Sequence, residues 1–139
     1  MKLNLTVLAA FALLFQMIFS PGAAAQQQGE ADVAMQAEAE ADRLQRTLDL
    51  EDWQVFYVDS TLKHDFAAIM AEYAKLQDSK VSNVSLYQYV KDKWMDQIDA
   101  TYKKIFTEEQ WKEYLKTGAG KAIKAREKRK AKAQDGSKK

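Results

Sequence analysis

Residues 50–77 read LEDWQVFYVDSTLKHDFAAIMAEYAKLQ. Within them Val55, Val58, Leu62, Phe66, Ile69, Tyr73 and Leu76 follow in steps of 3, 4, 4, 3, 4 and 3. This spacing marks one face of a 3.6-residue helix and predicts a long helix with a single apolar stripe. At 1.5 Å per residue the helix runs for roughly 40 Å. A stripe that long in a small chain needs another apolar face to cover it, which predicts a dimer. The flanking sequence reads as helical too, because neither Pro nor Gly occurs between Glu30 and Thr117. A stretch that long without a turn-forming residue does not suit a sheet of several strands.

Downstream, 78–85 is a polar connection. Ser85 and Gln88 fit an N-cap and its returning capping-box partner, with Val84 placed to staple against Tyr89. A third helix then carries Tyr87, Val90, Trp94, Ile98, Tyr102 and Ile105 on one face. Thr107 with Gln110 is another capping box, opening a short fourth helix through Trp111, Tyr114 and Leu115. Gly118 and Gly120 weaken that helix, and a tail of Lys, Arg and Ala follows. Upstream, 26–47 is rich in Ala, Glu and Gln, with Val33, Met35 and Leu44 as its only large apolar groups. It is expected to be helical by propensity but weakly packed. The predicted fold class is all-α: four helices in an elongated antiparallel hairpin or cradle, comprising 26–47 and a helical domain at 48–117, with a basic C-terminal tail at 118–139.

Residues 1–25 have the character of a cleaved secretory signal. Lys2 is basic, Leu3 to Phe19 is mostly apolar, Ser20-Pro21-Gly22 breaks a helix, and Ala23-Ala24-Ala25 suits cleavage before Gln26. The run is shorter than the ~20 apolar residues that span a bilayer. The expected location is the periplasm or the outside of the cell.

The 139-residue chain has a formal charge of +1. That near-neutrality hides a division: 26–117 holds 11 basic and 18 acidic residues, whereas 118–139 holds nine basic and two acidic. The tail cations Lys121, Lys124, Arg126, Lys128, Arg129, Lys130 and Lys132 read as a solvated extension or as an arm for an anionic envelope surface. No aromatic residue interleaves them, so no specific nucleic-acid partner is expected.

The chain has no Cys and a single His. This removes disulfides, thiolate nucleophiles and multi-His or thiolate metal sites. Ser60 and His64 stand four apart beside Asp59 and Asp65, but no Gly-rich turn is present to build an oxyanion hole. Asp92, Asp96 and Asp99 share one helix flank and read as a solvated acidic face. Neither an enzyme activity nor a cofactor or metal is expected. Asn83-Val84-Ser85 and Asp59-Ser60-Thr61 match short glycosylation patterns at Asn83 and at Ser60 or Thr61.

A shift of 58 positions sets Leu48-Asp49-Leu50-Glu51-Asp52-Trp53 on Phe106-Thr107-Glu108-Glu109-Gln110-Trp111, with Phe56 on Tyr114. Each copy has an apolar residue, a cap (Asp49 or Thr107), first-turn acids and a Trp. Trp53, Phe56, Trp111 and Tyr114, with Leu48 and Phe106, are expected to form one structural cluster.

On these residues the chain resembles the Spy/CpxP-type periplasmic proteins, named for a Leu-Thr-x-x-Gln motif. Phe106, Thr107 and Gln110 carry the close copy; Leu48, Asp49 and Asp52 carry a degenerate one. The resemblance covers roughly 43–117. It implies a thin helical homodimer that acts without ATP as a chaperone, or as a modulator of envelope stress. Its partners would be unfolded or partly folded client proteins, with Tyr57, Tyr87 and Tyr89 as candidate contacts. The alternative reading is a structural or adaptor module that docks on an anionic envelope surface through its basic tail.

Overall fold

A computed structural model describes residues 23–137; residues 1–22, which carry most of the predicted leader, and 138–139 of the tail lie outside the described residues. All regular structure among the described residues is helical, so the fold is all-α. Five α-helices follow in order: α1 (Ala23–Leu48), α2 (Asp52–Asp78), α3 (Val84–Ile105), α4 (Glu108–Tyr114) and α5 (Gly120–Gly136). A π-helical turn, Leu115–Ala119, joins α4 to α5. The start of α1, up to Asp32, falls in a unit separate from 33–137.

The two predicted stripes meet each other. α2 and α3 are the closest-packed pair, and they run antiparallel: Gln54 reaches Ile105 at one end, while the Tyr73 and Tyr87 rings lie 5.3 Å apart at the other. Val58, Leu62, Phe66 and Ile69 of α2 are buried, as are Val90, Ile98 and Tyr102 of α3. Each such aliphatic side chain contributes about 1.5–3 kcal/mol by leaving water.

From Val33 on, α1 buries one face, against the weak packing expected over 26–47. Val33, Ala37, Ala41, Leu44 and Leu48, in steps of 4, 4, 3 and 4, are all buried. Two of the five are Ala, a residue whose own size says little about burial. Position under larger neighbouring side chains decides it. α1 is also tied to α2 by the pair of Glu38 Oε1 with Lys63 Nζ at 3.1 Å.

The helix starts differ from expectation too. Asp49 has a φ of 52° and stands just past the end of α1, in the left-handed conformation common at helix C-termini. The N-cap of α2 is Glu51. The N-cap of α3 is Asn83, whose Oδ1 accepts from Ser85 N–H at 3.0 Å; Ser85 is not the cap. Gln88 instead donates to Asp92, and Val84 and Tyr89 are both exposed rather than stapled. Thr107 caps α4 as predicted, with Gln110 returning to its N–H at 2.9 Å.

The glycines after α4 bend the rod without ending it. Gly118 takes φ 102°, open to few side chains, and a Cβ on Gly120 would lie 2.9 Å from the Leu115 carbonyl oxygen. The basic segment therefore continues as α5, and its cations pair with α3 running antiparallel to it: Arg126 with Asp99, Arg129 with Asp92.

Candidate functional site

Three surfaces carry chemistry: a pair of amides joining two helix starts, a ladder of charges between α3 and α5, and an exposed aromatic patch on α2.

Capping places the amides. Gln54 Oε1 accepts from Glu51 N–H at 2.9 Å, and Gln110 Oε1 accepts from Thr107 N–H at 2.9 Å. Their amide nitrogens then point at each other's helix start. Gln54 Nε2 donates to Gln110 Oε1 at 2.7 Å and to the Ile105 carbonyl at 2.8 Å. Gln110 Nε2 donates to Gln54 Oε1 at 3.1 Å and to the Asp49 carbonyl at 3.3 Å. Glu51 and Thr107, Gln54 and Gln110, Asp49 and Ile105 are each 56 positions apart, so the clasp is an internal pseudo-two-fold. The repeat register is therefore 56, not 58. Leu50-Glu51-Asp52-Trp53-Gln54 matches Phe106-Thr107-Glu108-Glu109-Gln110, with Leu50 and Phe106 both buried. Leu48, Asp49 and Asp52 do not hold the places first assigned to them. The signal that finds the true register is the Gln three residues after each cap.

This register also divides the predicted aromatic cluster. Phe106, Trp111 and Tyr114 do assemble, around Tyr102: Tyr102 lies 5.0 Å from Phe106 and 5.4 Å from Tyr114, and Trp111 lies 5.4 Å from Tyr114. Trp53 and Phe56 do not join them. They face solvent, half or more exposed at 50% and 66%, because Gln54 and Val58 take the inward positions of α2. Tyr57, 51% exposed, bridges them with edge contacts at 6.2 and 5.7 Å. The patch is rimmed by acid: Glu51 Oε2 accepts from the Trp53 indole at 2.5 Å, and Asp52 is exposed. A second exposed apolar group gathers at the start of α3, from Val84, Leu86 and Tyr89. Tyr87 is less available, since its hydroxyl donates to the Val81 carbonyl at 2.8 Å and its ring lies against Tyr73.

Asp92, Asp96 and Asp99 are not a solvated face. Asp92 and Asp99 are buried, because α5 covers them with cations. Arg129 forks onto Asp92 at 2.6 and 2.8 Å. Arg126, only 4% exposed, donates from Nε to Asp96 at 2.8 Å and from its terminal nitrogen to Asp99. Lys130 closes on Asp96, and Tyr114 gives Asp99 its hydroxyl proton at 2.6 Å. Burial resists ionisation of Asp92 and Asp96, but hydrogen bonds from Arg129 and Gln88, and from Lys130 and Arg126, hold both below the ordinary carboxylate range. At Asp99 burial wins and its carboxyl is pushed up. Burial also raises the Tyr114 and Tyr102 phenols, and the Tyr102 hydroxyl is enclosed without a partner. Arg126, Arg129 and Lys130 thus already have anionic partners within the chain, while Lys121, Lys124, Lys128 and Lys132 face solvent.

Ser60 and His64 share no hydrogen bond. Ser60 Oγ donates to the Phe56 carbonyl at 2.8 Å, and His64 Nδ1 lies 2.7 Å from Asp65 Oδ1. No group of three His, Cys, Asp or Glu among the described residues is arranged to hold a metal ion, and none of the described helices is long and apolar enough to cross a membrane.

Compared with known proteins, the chain matches no family model, no curated protein and no solved structure.

Proposed function

We propose that this is an exported, non-enzymatic helical protein of the Spy/CpxP type that holds exposed apolar segments of other proteins without ATP, as a chaperone or a modulator of envelope stress. The observation that carries the reading is the Trp53–Phe56–Tyr57 patch. Three contiguous aromatics stand in water on the first turns of a rigid helix, where folding alone gives them no role. The acid rim suits client segments in which apolar residues alternate with Lys or Arg, and it keeps the loaded surface soluble. The motif register adds support. Leu50-Glu51-Asp52-Trp53-Gln54 departs from Leu-Thr-x-x-Gln only in Glu for Thr, and Phe106 to Gln110 departs only in Phe for Leu. The apolar group at Val84, Leu86 and Tyr89 offers a second contact for clients or for another copy of the chain in a homodimer.

The test is aggregation of a chemically unfolded client, followed by light scattering. The protein should suppress scattering at equimolar ratio. A variant with Trp53→Ala, Phe56→Ala and Tyr57→Ala should lose most of that effect while keeping its helical content. Absence of suppression by the unaltered protein, or full activity of the variant, overturns the reading.

A further inference from the structure

We infer that α5 docks this protein on the anionic headgroup surface of a lipid bilayer, through a row formed by Lys121, Lys124, Lys128 and Lys132. The inference is independent of client binding and comes from how α5 divides its charge. Arg126, Arg129 and Lys130 turn inward onto Asp92, Asp96 and Asp99. The other four lysines follow in steps of 3, 4 and 4, which puts them on one line along the opposite face. All four are exposed, and none forms an ion pair. The row spans about 16 Å at 1.5 Å per residue.

The inward ladder matters to the outward row. A free basic tail must be ordered before it can present its charges together, and that ordering opposes binding. Here the arginines fix the helix to α3 and Gly118 and Gly120 set the bend that lets it lie there, so the lysines are already aligned. Of the two acids in α5, Glu127 lies off the line and Asp135 only closes its end.

The chemistry of the face selects the partner. Besides lysine it offers Ala125 and Ala131, with no large apolar group to enter the acyl region and no aromatic ring to stack on a base. Lysines are point charges without the planar fork that arginine uses for specific phosphate recognition. A straight row of such charges fits a flat, dense array of anionic headgroups, held at the surface by long-range attraction.

Vesicle co-sedimentation tests this with the protein expressed from its full sequence. Phosphatidylglycerol-containing vesicles should bind it and pure phosphatidylcholine vesicles should not, with binding lost as salt rises. At about 1 kcal/mol per lysine, or roughly fivefold each, K121Q, K124Q, K128Q and K132Q together should weaken binding by several hundredfold. The four Lys→Arg replacements should retain it. Circular dichroism and melting of both variants should match the unaltered protein, since these side chains hold nothing in place. Three results each overturn the inference: equal binding by the Lys→Gln variant, equal binding to phosphatidylcholine, or displacement of the protein from vesicles by a polynucleotide at lower phosphate concentration.

Discussion

The amide clasp between α2 and α4 and the charge ladder between α3 and α5 do the same mechanical task by different means. Each ties two distant parts of the chain with several hydrogen bonds. The clasp uses neutral groups: Gln54 and Gln110 give every polar atom a partner, two of them backbone carbonyls at helix ends. The ladder uses three carboxylates against three cations, and pays for burial at Asp99, where the charged form is disfavoured. A neutral pair depends on geometry alone. A charged one also depends on salt, on pH and on the presence of both partners.

The largest effect should therefore come from breaking the ladder at its most buried member. Arg126→Ala leaves Asp99 and Asp96 without their shared cation and should destabilise the protein by about 3 kcal/mol in urea unfolding. Lys128→Ala, one turn away on the outward face, should change stability by less than about 0.5 kcal/mol. A comparable loss from both substitutions would mean that α5 is not held by its inward charges.

The clasp should show a smaller and salt-independent coupling. A double-mutant cycle on Gln54→Ala and Gln110→Ala should return a pair energy of about 1 kcal/mol, unchanged between low and high salt. Additive effects would show that the two amides act separately, each only as a local cap.

The smallest effect, and the one that separates the two regions most cleanly, is acid sensitivity. Asp92 and Asp96 have folded pKa values below their unfolded ones, so the stability they contribute is present above the ordinary carboxylate range and lost as pH falls through the folded values. Asp99 is shifted upward and works in the opposite sense, gaining as it protonates. With two carboxylates against one, the ladder should weaken below about pH 4. Replacing Asp92 and Asp96 with Asn should flatten the acid limb of melting temperature against pH, whereas Gln54→Ala should lower the whole curve without altering its slope.

These two regions also mark how far the sequence could be read. The stripes of α2 and α3 were legible because their large apolar residues recur at helical spacing, and burial followed that spacing at Val58, Leu62, Phe66, Ile69, Val90, Ile98 and Tyr102. The cap at Thr107 was legible because its hydrogen bonds close within one turn. The α2 cap lies two residues beyond the expected Asp49, since Leu48 and Leu50 both fit the apolar position and both are buried. The expected aromatic cluster divides for the same reason: a two-residue shift of register turns Trp53 and Phe56 from the interior to solvent.

What the sequence determined by itself was local: helix periodicity, the Thr107 cap, the bend residues and the division of charge between body and tail. Each depends on neighbours within a turn or two, where covalent geometry sets the distances. Only the tertiary structure decided which charges met. Asp92, Asp96 and Asp99 looked like a solvated flank and the basic tail like a free arm, because nothing in either stretch encodes a partner some 30 residues away. Once the chain reverses at Phe106 and Thr107 and α5 continues back along α3, the Coulomb attraction between them replaces water on both sides. Among the described residues, the same packing leaves Lys121, Lys124, Lys128 and Lys132 free to meet another surface.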